Sequence, residues 1–320
     1  MTKKSSVVYY KQNRLKQLRA FCMAAKTGSI SSAAEALFQS QPTVTLQIQA
    51  LERELEIIVF ERRGPHISLT PEGEVLLQIA QPLVDGIDGL EDTYHAKFGR
   101  LDRGELHIAA GESTILYLLP EYIKKFSDTY PGIRISLHNV TGRDGMQMLR
   151  EDEVDLAVGS MPDVPDDILY KPSIFYSSTL ITSKNHPLAS KQDITLEDIS
   201  EYGFILPPKH LATWRMLEIV FNQHGLVFDV SLEAGGYEII KKFVQLELGI
   251  SIVTGVCLTE EDDLFKLKLD RYMPKRSYGA VIRRGKFISP QCRAFIELLD
   301  PDFFKGRQAA AAESEEEPPE

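Results

Sequence analysis

The chain has 320 residues and a formal net charge of −10, with 43% hydrophobic and 26% charged residues. That length exceeds what one core usually serves, so two or three domains are expected. The acidic balance excludes a protein that coats nucleic acid indiscriminately, yet the charge is uneven: residues 1–66 hold ten Lys and Arg against five Glu, a basic head on a strongly acidic body. Such a head suits local contact with phosphates.

Cys22, Cys257 and Cys292 are far apart and show no metal-ligand spacing, which fits buried thiols in a reducing compartment. The start, "MTKKSSVVYYKQNRLKQ", has no apolar core like that of a signal peptide, and no run of 18 apolar residues occurs. A cytoplasmic protein with no membrane partner is expected.

After a start expected to be disordered (1–13), Leu15, Leu18, Phe21, Ala24 and Ala25 mark a helix ending at Gly28. Ala33, Ala34 and Leu37 then recur at helical spacing, and Val44, Ile48, Leu51 and Leu55 do so in a second short helix. The face left over on that second helix shows Gln41, Thr43, Thr45, Gln47 and Gln49, with hardly any charge. A helix solvated only for solubility would carry Lys and Glu there, so this face is suited to a polar, uncharged surface. "FERRGPHISLT" reads as a β-hairpin wing around Gly64-Pro65.

Thr70 can cap the next helix, with Pro71 at its first position and Glu72 and Glu74 complementing its dipole. Leu76, Leu83 and Leu90 are seven apart, as are Ala80, Ile87 and Tyr94. That seam (Leu76, Leu83, Ile87 and Leu90 foremost) fits a helix of a second chain, the alternative being its own domain. Pro82 predicts a kink.

From Gly104 strand and helix alternate. "ELHIAA", "IRISLHNV", "VDLAVGS" and "STLITS" read as strands, with "LYLLPEYIKKFSDTY" and "DGMQMLRE" as crossover helices of a parallel sheet. A second set follows, with strands at "GFILP", "VSLEAG" and "GISIVTG" and helices at "WRMLEIVFNQHG" and "YEIIKKFVQLELG". "YGAVIRRG" reads as a return strand and "SPQCRAFIELL" as the last helix. Two α/β lobes, with the chain crossing between them more than once, is the economical arrangement. The acidic tail "AAAAESEEEPPE" is expected to be disordered.

The stretch "LRAFCMAAKTGSISSAAEALFQSQPTVTLQIQALERELEIIVFERR" resembles the head of LysR-type transcriptional regulators. Leu18, Phe21, Gly28, Ser29, Ala33, Ala34, Leu37, Ser40, Gln41, Val44, Ile48, Leu51, Glu52, Leu55, Phe60 and Arg62 fall where that motif expects them. The likeness runs on through Leu69, Thr70 and Gly73 to about residue 303, and "GYEIIKKFVQLELGISIV" is similar to the CysB-like branch, whose members sense small sulfur-related metabolites. The resemblance implies a winged helix-turn-helix DNA-binding domain (14–70) and a linker and dimerisation helix (71–100). A two-lobed α/β effector domain of the type 2 periplasmic-binding-protein kind would then cover 104–303, with lobe I at about 104–176 and 278–303 and lobe II at about 177–277; an acidic tail (304–320) ends the chain. It also implies promoter DNA, a small and anionic effector, RNA polymerase and further copies of the chain (dimer or tetramer) as partners, with no resident cofactor and no metal.

On the head, Ser29, Ser31, Ser40, Gln41, Thr43, Thr45, Gln47, Arg62 and Arg63 are the candidate DNA contacts. Gln can pair bidentately with adenine, Thr offers a hydroxyl and a methyl, and a capped helix start can meet a phosphate. Leu46 stands where the family often places a polar or basic residue, and Glu56 replaces the usual terminating Gly, so this helix is expected to run longer. The resemblance places the effector cleft at Ser113 and Thr114 in "AAGEST", Thr141 with Arg143, Ser160, Thr213, and Gly235-Gly236 before Tyr237. For Ser113 and Thr114 a plain capping role stays open. Ala110, Gly111 and Glu112 depart from the branch's threonine-rich loop.

Other classes fit less well. A solute-binding protein would need an export signal and no DNA-binding head. An enzyme would need a nucleophile elbow, a phosphate loop, a metal cluster or a triad, and none appears; His107 and His138 sit within strands. A DNA-binding regulator without effector remains an alternative.

Overall fold

The computed structural model describes residues 13–63, 66–98, 101–209 and 211–305, with the side chains of 62, 63 and 212 outside that description. The expected disordered start and acidic tail lie almost wholly outside these residues. The described residues form two compact units: one runs up to Leu101 and takes in Arg283–Arg293, the other is Asp102–Ile282 with the residues from Ala294.

In the first unit α1 (Arg14–Thr27) ends where Gly28 turns left-handed at φ 63°, a conformation that costs glycine nothing. Ser29 caps α2 (Ile30–Ala36) by accepting from the Ser32 N–H at 3.4 Å. Ser40 caps α3 (Gln41–Leu55) by accepting from the Thr43 N–H at 3.4 Å. Phe21, Ala24, Ala33, Val44, Ile48 and Leu51 bury the faces that meet, and Val59 and Phe60 close the same core. The expected longer α3 is not observed. The helix stops at Leu55 because Glu56 itself adopts φ 56°, taking the left-handed turn that glycine would make more cheaply. Glu52 holds the exit by accepting from the Val59 N–H at 3.0 Å.

The wing is β1 (Phe60–Arg63) paired antiparallel with β2 (His66–Leu69), Phe60 opposite Leu69. Thr70 then accepts from the Gly73 N–H at 3.0 Å and donates to the Ile58 carbonyl at 2.6 Å, tying wing to linker. A Cβ on Gly73 would lie 2.2 Å from the Val59 carbonyl oxygen, so only glycine permits this approach.

The linker is two helices, not one. α4 (Pro71–Asp88) passes Pro82 unbroken and ends at Gly89, after which α5 (Leu90–Lys97) starts. Pro82 removes one backbone bond but the helix survives it; the break comes at glycine, the poorest helix former after proline. A Cβ on Gly89 would come within 2.8 Å of the Phe287 ring, so the segment expected to belong to lobe I packs here.

The second unit opens with β3 (Gly104–Ala110), followed by a π turn (Thr114–Leu118) that runs into α6 (Leu119–Thr129). Next come β4 (Ile133–Asn139), α7 (Gly142–Arg150), β5 (Leu156–Gly159), β6 (Ile168–Tyr170) and β7 (Ile174–Tyr176). β3 pairs in parallel with β4 and β5. The return strand β13 (Arg276–Arg283) runs antiparallel to β5 and to β7, giving the order β4-β3-β5-β13-β6 with β7 on β13.

The other lobe holds β8 (Ser178–Thr182), α8 (Leu196–Ser200), β9 (Phe204–Leu206), α9 (Ala212–Gln223), β10 (Val230–Glu233), α10 (Tyr237–Gln245), β11 (Ser251–Thr254) and β12 (Phe265–Lys268). β8, expected among parallel strands, lies antiparallel between β11 and β12, while β9 and β10 are parallel. All five β8 residues are buried, which matches a strand covered on both faces. α11 (Pro290–Leu299) is the last of these elements. β6, β7, β12 and α8 are not among the elements read from the sequence.

Candidate functional site

On the head, α3 turns Val44, Ile48 and Leu51 inward and leaves Gln41, Thr43, Leu46 and Gln49 exposed. The polar face expected from the sequence is therefore rotated. At 100° per residue, Leu46, 61% exposed, sits near its centre. Thr45 and Gln47 lie on its flanks and are half-buried. The Thr45 hydroxyl donates to the Gln41 carbonyl at 2.9 Å, and the Gln47 amide oxygen is closed off from solvent. Ser40 and Thr43 share a hydroxyl contact of 2.7 Å at the helix start. Ser31 is exposed on α2 and Ser29 caps it. Arg62 and Arg63 stand on β1, but their side chains lie outside the described residues.

The apolar seam shifts as well. Leu76 packs against the head core, where Ala80 and Val84 are buried. The exposed row of α4 and α5 is Val75, Ile79, Leu83, Ile87, Leu90 and Tyr94. A continuous apolar stripe of this kind marks a surface made to be covered. Of the four seam residues expected, Leu83, Ile87 and Leu90 lie on it and Leu76 does not.

In the second unit one cavity of about 930 Å³ brings together Ser113, Thr114, Thr141, Arg143, Ser160 and Thr213; of the expected glycine pair Gly236 lines it and Gly235 does not. The Ser113 side chain makes no capping bond; the turn at this point is already helical, so the capping role left open for it is not what the fold uses. Thr114 is buried. Thr141 caps α7, accepting from the Asp144 N–H at 3.3 Å and donating to the Asp144 carboxylate at 2.7 Å. Arg143 is exposed at the rim and Ser160 follows β5.

Thr213 is buried at the start of α9, with its hydroxyl 3.0 Å from the Tyr237 hydroxyl. It accepts from Arg276 Nη1 at 2.8 Å, and the same nitrogen donates to Thr254 at 3.3 Å. Arg276, Tyr237 and Tyr278 line the cavity and were not foreseen. Burial pushes the Tyr278 hydroxyl up to about 12, so it stays protonated and is a hydrogen-bond donor. Gly236 keeps the approach to α10 open; a Cβ there would lie 3.4 Å from a Glu112 oxygen.

Behind the cavity wall Lys241 is bound by Asp262 at 2.9 Å, Glu238 at 2.6 Å and the Cys257 carbonyl at 3.0 Å. Burial works against its charge, but the two carboxylates outweigh it and its pKa lies above the ordinary lysine value. Burial likewise opposes the Asp262 charge, yet the Thr259 N–H and Lys241 hold its pKa below the usual carboxylate range. Burial pushes the Cys22 and Cys257 thiols up to about 12, which leaves them unreactive. Among the described residues no helix is long and apolar enough to cross a membrane, and no group of three or more His, Cys, Asp or Glu could hold a metal ion.

A capped helix-turn-helix with a wing, a linker bearing an apolar stripe, and a two-lobed unit with a cleft between its lobes define a DNA-binding regulator with an effector-binding domain. Residues 15–74 match the family described as bacterial regulatory helix-turn-helix protein, lysR family, and residues 99–303 match the LysR substrate binding domain. The chain belongs to the LysR family: it is a transcriptional regulator with an effector-binding domain, not an enzyme.

It is 29% identical over 279 residues to the HTH-type transcriptional regulator CysB of Haemophilus influenzae, which covers 85% of each chain. It is 30% identical to the RuBisCO operon transcriptional regulator of Allochromatium vinosum over 89% of this chain and 95% of that one. Among solved structures, the cofactor-binding domain of the Cbl transcriptional regulator superposes with a TM-score of 0.60 at 25% identity, covering 64% of this chain and 93% of that one.

Proposed function

We propose that this regulator reads an operator through α3 and the wing, pairs through the exposed stripe of α4 and α5, and responds to a small anionic metabolite held in the cleft. The observation that carries the reading is the convergence of Ser113, Thr114, Thr141, Arg143, Ser160 and Thr213, from four separate stretches of sequence, on one cavity. Glu112, Asp144 and Glu238 also line the cleft, but Asp144 is engaged by Thr141 and Glu238 by Lys241, so the hydroxyls with Arg143 and Arg276 are the groups suited to a small oxyanion. A working dimer or tetramer, a contact with RNA polymerase, a cytoplasmic location and the absence of a resident cofactor complete the proposal. Likeness to CysB at 29% identity supports sulfur-related metabolism, and likeness to a RuBisCO operon regulator at 30% is the competing assignment.

A ligand that prefers one closure of two lobes can change how paired heads sit on DNA, with coupling of ~1–3 kcal/mol. The test is a footprint of the full chain on the DNA next to its own gene, with and without a small-metabolite extract. A changed footprint supports the reading, and an identical one overturns the effector role.

A further inference from the structure

Arg276 begins β13, where Arg276, Ser277 and Tyr278 pair with Tyr176, Phe175 and Ile174 of β7. These two strands carry the chain between the lobes. The guanidinium is half-buried and lines the cleft. Its partners among the described residues are two hydroxyls, Thr213 and Thr254, both reached from Nη1. A half-buried cation without a carboxylate is unusual, because its desolvation is repaid only by weak neutral acceptors.

The hydrogen inventory says what is missing. Both hydrogens of Nη1 are directed to threonines, which leaves the Nε and Nη2 edge of the guanidinium, the pair of parallel N–H groups that matches two oxygens of one oxyanion. Thr213 uses a lone pair on Arg276, and Thr213 and Tyr237 share a single contact. Whichever of them donates in that contact, one hydroxyl hydrogen remains for a ligand. The cluster therefore offers donors.

We propose that Arg276 seats the effector's oxyanion, a carboxylate or a sulfate-like group, through its Nε–Nη2 edge, with the Thr213–Tyr237 hydroxyl pair as the third donor. The proposal rests on the cleft being the effector site and adds the residue that selects the ligand's charge. Because Arg276 stands on a crossing strand, an anion held there and by Ser113 links both lobes at the hinge.

The test is thermal melting of the full chain titrated with sodium sulfate and with sodium acetate, each against sodium chloride at equal ionic strength. A specific site gives a saturable rise in the melting temperature, whereas general salting stabilisation grows without saturating. The wild type is expected to show the saturable rise with at least one of the two anions, and the better of the two tells a sulfate-like effector from a carboxylate. Arg276→Gln should weaken it roughly tenfold to a hundredfold, as for a lost charge-assisted pair. Arg276→Lys, which keeps the charge but not the parallel N–H edge, should recover only part.

Should either variant fail to fold, selenate located by anomalous scattering in wild-type crystals gives the same answer. Selenate within hydrogen-bonding distance of Arg276 supports the proposal, and selenate elsewhere in the cleft overturns it. Arg276→Gln binding as tightly as wild type, or no saturable response to either anion, also overturns it. If Arg276→Gln binds normally while Ser113→Ala does not, the cleft remains the effector site and only the arginine's role falls. If both bind normally, the anion sits outside the cleft and the cleft reading falls too.

Discussion

Replacing Leu83 and Leu90 together by Asp tests whether the linker holds chains together. Both side chains point outward, 57% and 65% exposed, so neither supports the fold of its own head. Full burial of a leucine side chain contributes ~1.5–3 kcal/mol. Covering the exposed half or more by a partner helix is thus worth about 1–2 kcal/mol each. A pair of chains presents four such side chains, so the double substitution removes roughly 4–8 kcal/mol before any carboxylate is desolvated. Area converts incompletely into affinity, yet even the lower figure is about a thousandfold in Kd. Sedimentation velocity at micromolar concentration should show a smaller species, with unchanged far-ultraviolet circular dichroism. A folded variant that kept the wild-type mass would refute the assignment and leave the stripe unexplained.

Gln41→Ala or Thr43→Ala should cost ~1–3 kcal/mol at the cognate operator and far less on random DNA in fluorescence anisotropy, as expected for side chains that read base edges. Equal losses on both would make them positioning residues. Replacing Arg62 and Arg63 by Ala should flatten the log–log salt dependence of DNA affinity by roughly one unit per lost phosphate contact; an unchanged slope would remove the wing from the interface. Asp262 has a folded pKa below the ordinary 3.8 and Lys241 one above the ordinary 10.5. Their stabilisation is therefore present across neutral pH, lost in acid as Asp262 protonates and lost in strong base as Lys241 deprotonates. Lys241→Met should cost about 2 kcal/mol at pH 7, less than a fully buried pair because Glu238 is exposed, and the deficit should shrink toward pH 4 as the stranded carboxylate takes a proton. A deficit that stayed constant with pH would argue against the ion pair.

The head was legible because short helices with buried Ala, Val and Ile at helical spacing leave few alternatives, and because Ser29, Ser40 and Thr70 cap where they stand. Three features were not. Glu56 ends α3 by accepting a left-handed backbone that its side chain disfavours, which no propensity announces. A strict seven-residue spacing puts Leu76 on the seam, but α4 also packs on its own head: Leu76, Ala80 and Val84 face that core, and Val75 and Ile79 take the exposed places. In the cleft, hydroxyls at strand ends were readable, but Arg276 was missed with β7. Ile174–Tyr176 lacks the fully buried apolar run that marks the equally short β9, and without it β13 reads from Tyr278 and not from Arg276. A site residue set by a long-range pairing is visible only once that pairing is known.

If occupancy of the cleft changes how the heads hold DNA, Ser113→Ala should abolish that change. Ser113 lines the cavity and its side chain caps nothing, so removing the hydroxyl leaves the turn intact. Footprints on the DNA next to the gene, for wild type and variant and with and without small-metabolite extract, make the measurement. The extract should alter the wild-type footprint and leave the variant's as it is without extract, the two having nearly equal affinity in its absence. A variant that responded as the wild type does would show that Ser113 does not hold the effector.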